Sequence, residues 1–124
     1  AFEHLKDGGL FIFDFWYGPA VLIQKPEIRI KEFEKNYEKF IRIANPEVVY
    51  EKNIVLVHYK ILAVNKETNT LFEFSETHPM RYFFDPELEL LAEMYGFKIV
   101  GKYAWLTFHK PTENDWSVVW ILRK

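Results

Sequence analysis

Apolar positions change their period several times along the chain, and each change marks an element. Leu10-Phe11-Ile12-Phe13-Asp14-Phe15-Trp16 is a near-continuous apolar run. That pattern predicts a strand buried on both faces, as in a parallel sheet. Ala1 to Lys6 reads as the last turn of a helix, and Asp7-Gly8-Gly9 as its stop. Gly18-Pro19 ends the strand on the other side. From Ile28 the alternation is that of half-buried strands. Ile28 and Ile30 alternate with Arg29 and Lys31, Phe40 to Val49 runs around Asn45-Pro46, and Ile54 to Ala63 puts Val55, Val57, Tyr59 and Ile61 on one face. Leu71 to Tyr82 follows, with Phe72, Phe74, Glu76, His78 and Met80 sharing a face. The joins, Lys52-Asn53 and Lys66-Glu67-Thr68-Asn69, are short and polar, which predicts an antiparallel meander rather than βαβ crossovers.

The period then switches to that of a helix. Asp85 is placed to be an N-cap, Pro86 suits the first helical position, and Glu87 suits the positive end of the dipole. Leu88, Leu91, Ala92 and Tyr95 form one face over about 86–95, and Gly96 closes the helix. Phe97 to Leu106 and Trp116 to Leu122 are predicted as two final strands joined by a polar loop, Lys110 to Asp115. There is no internal repeat and no linker.

Composition narrows the picture. The 124 residues make one small domain, rich in apolar (49%) and aromatic (19%) side chains, so disorder is excluded. Sixteen Lys and Arg against 18 Asp and Glu leave a formal charge of −2, a poor balance for gripping a nucleic-acid backbone. The absence of Cys removes disulfides, thiolate nucleophiles and Cys-ligated zinc. No apolar run approaches the roughly 20 residues that span a bilayer, and the N-terminus lacks a signal-peptide layout. The expectation is a cytoplasmic chain with no membrane or nucleic-acid partner. The five Gly, at 8, 9, 18, 96 and 101, form neither a G-x-G-x-x-G nor a Walker loop. Ser75 and Ser117, the only serines, lie in no nucleophile elbow. His58 and His109 read as surface residues of strands.

The ordered blocks resemble the C-terminal half of a class I S-adenosylmethionine (SAM)-dependent methyltransferase. His4-Leu5-Lys6-Asp7-Gly8-Gly9-Leu10 to Asp14 is similar to that family's turn into its fifth strand. Glu76-Thr77-His78-Pro79-Met80-Arg81-Tyr82-Phe83, Asp85-Pro86-Glu87-Leu88 and Gly96-Phe97 resemble the approach to its last helix and the turn after it. An antiparallel sheet inserted between these blocks, and Asp14-Phe15-Trp16-Tyr17, are similar to the small-molecule and amino-sugar N-methyltransferases. The resemblance implies an α+β chain: a mainly antiparallel sheet with one C-terminal helix, attached to a remnant of a Rossmann-like α/β sheet. It divides the chain into 1–17 (helix end and fifth strand), 27–82 (inserted sheet) and 85–124 (last helix and final strand pair). The family's Gly-rich loop and second-strand acid, which grip SAM, belong to an N-terminal half not found in these residues. The expectation is therefore SAM as cofactor of an intact parent, with no cofactor-binding residue in this chain.

Methyl transfer to an amine needs the acceptor oriented and a proton accepted. Residues at the carboxyl end of a strand in an open α/β sheet point into the ligand crevice. Asp14 and Trp16 are thus candidates for substrate binding, and Tyr17 for a catalytic role. Glu76 and His78, two apart on one strand, face the same way. His78 is the candidate proton acceptor, Glu76 its partner, and Arg81 a holder of an acidic group on the substrate. An ordinary ion pair lining the sheet is the plainer reading of Glu76 and His78. No third ligand makes them a metal site. All five of Asp14, Trp16, Tyr17, His78 and Arg81 are expected on one concave surface of the intact enzyme. The function expected is methyl transfer from SAM to a small molecule such as an amine or amino sugar. The alternative is a non-enzymatic α+β module whose aromatic-rich sheet binds an apolar ligand or a second copy. A homodimer is expected, because a strand apolar on both faces must be covered on both.

Overall fold

The computed structural model describes all residues 1–124. The elements in chain order are β1 (Leu10–Tyr17), α1 (Gly18–Gln24), β2 (Arg29–Lys35), β3 (Glu38–Val49), β4 (Ile54–Asn65), β5 (Thr70–Phe83), α2 (Asp85–Met94), β6 (Lys98–Ala104) and β7 (Ser117–Arg123). Two short 3-10 turns, Phe2–His4 and Tyr50–Lys52, complete them. Mostly antiparallel strands with two helices make an α+β fold. The chain divides into two compact units, one of Ala1–Lys25 with Arg81–Lys124, the other of Pro26–Met80.

The second unit is the predicted meander, in strand order β2-β3-β4-β5. Its registers are unbroken, from Arg29↔Ala44 to Lys35↔Glu38 and from Glu38↔Asn65 to Val49↔Ile54. The turns use the residues expected of them. Asn36, Asn53 and Asn69 take positive φ, which Asn tolerates, and the Asn65 side chain accepts hydrogen bonds from the Glu67 and Thr68 amides. Pro46 lies beyond Ala44, where β2 stops, so β3 tolerates it as an edge residue there.

In the first unit, β7 lies between β6 and β1. β1 pairs antiparallel with β7 along its whole length, from Leu10↔Arg123 to Trp16↔Ser117. Parallel pairing is confined to Trp16↔Tyr82 and Tyr17↔Phe83 at the end of β5. Of the two apolar faces of β1, these residues cover one. Phe15 is buried, and Phe11 and Phe13 pack beside it on a cluster of Val118, Trp120, Leu122, Leu88 and Ala92. On the opposite face Leu10 and Ile12 are 46% and 58% exposed. An apolar run records that both faces are apolar, but not which of them is covered.

Three local expectations also change. A second helix, α1, begins where Gly18-Pro19 was read only as a strand end. Pro19 lacks an amide hydrogen that the first helical turn does not use, so the same residues open a helix. Asp85 is the first residue of α2 rather than its N-cap. Phe84 holds the cap position without a side-chain bond, and the Asp85 carboxylate turns to Lys102 instead. Gly96 ends α2 at φ 77°, as the helix stop requires. His109 lies in the β6–β7 loop, not on a strand. That loop is held by Asp115, which accepts from the Thr112 amide and hydroxyl, and by Gln24, which donates to the Glu113 carbonyl.

Gly18 is required by close approach: a Cβ there would lie 2.6 Å from the Phe84 ring. Gly18→Ala should therefore cost about 1–3 kcal/mol through overpacking. A lower urea midpoint is the expected reading, partly recovered when Phe84→Leu is added.

Candidate functional site

Alternation along β1 decides how its candidate residues are placed. Tyr17 falls on the Phe11-Phe13-Phe15 face and packs against the Trp120 cluster. Asp14 and Trp16 project to the other side of the strand. Trp16 meets Trp116 edge to face at 5.3 Å, and the Tyr17 amide donates to the Trp116 carbonyl at 2.9 Å. The three candidates share a strand end, and the structure separates Tyr17 from the other two.

Around Tyr17 stands a charged group that the sequence did not suggest. The Lys102 ammonium on β6 lies 4.2 Å from the centre of the Trp120 ring. It is 3.5 Å from Asp85 Oδ2 and in closer contact with Glu89, both on α2. The second carboxylate oxygen of Asp85 is buried with no hydrogen-bond partner. Burial pushes the Tyr17 phenol above its ordinary pKa, the Asp85 charge adds to the rise, and Lys102 opposes it. A phenol so placed stays protonated, which suits it to donate a hydrogen bond rather than to accept a proton. Asp85, Lys102, Gly101, Tyr103, Lys110 and Pro111 line an open cavity of about 450 Å³. Lys102, Asp85 and Glu89 come from two elements 13 and 17 residues apart, with no spacing motif that could have flagged them.

Arg81 is engaged by Glu87 on the first turn of α2, and its guanidinium lies 4.8 Å from the centre of the Phe83 ring. Its charge is thus met within the chain. A second cavity, about 420 Å³, is almost wholly apolar, lined by Phe2, Phe11, Phe13, Leu91, Tyr95 and Phe97 among others.

Glu76 and His78 lie on β5 in the other unit, and their facing follows the period of two. Glu76 Oε1 is 3.2 Å from His78 Nε2, and the imidazole stands edge-on to Tyr59 at 5.2 Å. Both are about half exposed, so the pair is open to solvent. His58 occupies the opposite face of the sheet, 2.9 Å from the Thr77 hydroxyl and 3.5 Å from Glu47. No group of three His, Asp or Glu side chains is arranged to hold a metal.

No protein-family model and no curated protein matches this chain. Solved structures do. A SAM-dependent methyltransferase from Clostridium acetobutylicum ATCC 824 aligns at TM-score 0.71 and 18% identity, over 98% of this chain and 46% of its own. CalS10, an amino pentose methyltransferase from Micromonospora echinaspora whose structure holds SAM, aligns at TM-score 0.72 and 13% identity, over 98% and 46%. The sugar N-methyltransferase KedS8 from Streptoalloteichus sp ATCC 53650 aligns at 0.71 and 15%, over 99% and 46%. At such identities the likeness is one of fold. The chain has the fold of part of a SAM-dependent methyltransferase, and spans less than half the length of each of these structures.

SAM presents an amino-acid group, ribose hydroxyls and a sulfonium, and the residues here do not form a cradle for them. Gly8 and Gly9, the one glycine pair, spend their amides on the Lys124 and Lys6 carbonyls.

The phenol of Tyr17 supplies a direct test. In a titration of phenolate absorbance, the difference between the wild type and Tyr17→Phe should show one tyrosine ionising above the ordinary value. Asp85→Asn should lower that step. Because the pKa is raised on folding, the associated stability is present below the unfolded tyrosine's pKa and is lost as pH rises through the folded value. A Tyr17 step at the ordinary pKa would overturn the assignment of burial and Asp85 as its causes.

Proposed function

We propose that this chain is the acceptor-side portion of a SAM-dependent methyltransferase that acts on a small molecule such as an amine or amino sugar. The alignment of nearly the whole chain with methyltransferase structures carries this reading. In it, His78 accepts the acceptor's proton with Glu76 as its partner, and Tyr17 donates a hydrogen bond from its protonated phenol. Asp14 and Trp16 contact the acceptor, and Arg81, already neutralised by Glu87, contributes to shape more than to charge. SAM is held by residues outside this chain. Regions 1–17, 27–82 and 85–124 correspond to the fifth strand, the inserted sheet and the closing helix with its strand pair. No helix is long and apolar enough to cross a membrane.

The experiment is methyl transfer from labelled SAM to small amines by the protein that carries this chain. His78→Ala should lower turnover by about 100-fold or more, the usual share of a general base, and leave SAM affinity unchanged. Equal losses in both would argue against the role. Calorimetry on the 124 residues alone should show neither SAM binding in the micromolar range nor transfer.

Self-association belongs to the same reading. From Leu10 to Phe15 the side of β1 away from β7 has no partner strand, and Leu10 and Ile12 are exposed on its open face. An apolar strand with an unpaired edge templates pairing with another chain, and a closed twofold contact is the commonest outcome. Sedimentation velocity should show a dimer at tens of micromolar, and Ile12→Lys should return it to monomer. A wild-type monomer at that concentration would remove the dimer from the reading.

A further inference from the structure

The two most exposed large apolar side chains of the molecule stand together in the loop between β6 and β7. Phe108 keeps 93% of its accessible surface and Leu106 84%, with Trp105 at 47% beside them. A single exposed apolar residue needs no explanation, but this group forms a contiguous tip. The loop is held in this shape from within. The Ala104 amide donates to the His109 carbonyl at 3.1 Å and the Trp105 amide to the Ser117 carbonyl at 3.0 Å. The Thr107 amide and hydroxyl both donate to the Ala104 carbonyl, at 3.0 and 2.9 Å. Phe108 stands edge-on to Tyr103, with ring centres 5.9 Å apart. Leu106 takes φ 58°, a conformation that Leu rarely adopts and that costs free energy. Gly would take it without strain, so a Leu turned outward here is a departure from what local structure favours.

The chemistry of the tip decides what it fits. Trp105, Leu106 and Phe108 project from the surface, so a protein partner would need a pocket shaped for them, whereas a fluid lipid phase closes around any shape. Trp favours the headgroup level of a bilayer, and Leu and Phe the acyl boundary beneath it. The Thr107 hydroxyl is already bonded to the chain, so burying the tip does not strip it of water. From Tyr103 to Thr112 there is no acid. Lys110, two residues past Phe108, is in no ion pair, and its charge is complementary to an anionic headgroup. The acids of the loop, Glu113 and Asp115, come after the tip, and Asp115 is taken up by the Thr112 amide and hydroxyl.

We infer that the 105–108 tip is a wedge that docks this chain on the surface of an anionic lipid bilayer, with Lys110 at the headgroups. Such a contact needs no spanning helix, and it departs from the expectation of no membrane partner. The inference goes beyond the methyl-transfer reading, and its test involves no methyl donor, so the two fail separately. The 124-residue chain is sedimented with vesicles of phosphatidylcholine and phosphatidylserine in equal amounts. The wild type should co-sediment, and its tryptophan emission should shift to the blue, a shift absent in Trp105→Phe. Phe108→Ser should weaken binding about tenfold or more. Leu106→Gly should weaken it as well without lowering the melting temperature, because Gly relieves the positive φ. Lys110→Gln should weaken binding to these vesicles but not to vesicles of phosphatidylcholine alone. Met94→Gln, which removes another exposed apolar side chain on α2, should leave binding unchanged. A wild type that stays in the supernatant, or equal weakening in Met94→Gln, overturns the proposal. A wild-type dimer that ignores vesicles and is dissociated by Phe108→Ser overturns it in favour of a second copy of the chain.

Discussion

Trp120 loses all of its accessible surface among Phe13 and Phe15 of the neighbouring strand, with ring centres 6.5 and 6.1 Å away, in a cluster completed by Leu88 and Ala92 of α2. This packing can form only if β1 and β7 are paired in the observed register, because Phe13↔Trp120 and Phe15↔Val118 are direct partners. A slip of one residue would turn Phe11, Phe13 and Phe15 away from α2. Truncating a buried aromatic of this kind costs about 3–5 kcal/mol, a large part of the roughly 5–15 kcal/mol that holds a domain folded. The indole N–H has no acceptor, so the burial rests on area and ring geometry rather than on a hydrogen bond. The position of α2, and with it Asp85 and Glu89, depends on this cluster.

What could be read from the sequence follows from which physical signals are local. The meander was legible because strand period, polar joins and Asn-containing turns all lie within a few residues of one another. So was α2, whose Pro86, apolar face and Gly96 agree. α1 was not, since Gly18-Pro19 satisfies a strand stop and a helix start equally until the packing of Gly18 on Phe84 is seen. Which face of β1 is covered within the chain was not legible either, because coverage depends on partners distant in sequence.

The candidate residues divide along the same line. Glu76 and His78 were found together because an i, i+2 spacing on a strand is enough to bring them to 3.2 Å. Asp14, Trp16 and Tyr17 were grouped by position at a strand end, yet the period of two sets Tyr17 on the α2 side and its neighbours opposite. Lys102 was missed altogether. Its partners are a ring on β7 and two carboxylates on α2, and no spacing rule joins three elements. Arg81 was legible as a cation, whereas its neutralisation by Glu87 six residues on required the turn from β5 into α2 to be known.

The same contrast of local pattern and distant partner explains why charge, and not hydrophobicity, separates the two units chemically. In the Trp120 unit a single ammonium stands between two carboxylates over an aromatic ring, and burial, with the Asp85 charge adding to it, raises the pKa of the neighbouring Tyr17 phenol. In the meander, strand alternation distributes residues strictly to two faces, and the acids of Arg29–Lys35, Glu32 and Glu34, both fall on one of them. The basic residues of that strand must then collect on the other. Net charge near zero for the chain hides this segregation, since a balanced total is the sum of one matched face and one that is not. A strand with the same composition but acids and bases exchanged at a single position would carry neither face's character. The order of residues within β2, rather than their number, sets the electrostatics of that surface.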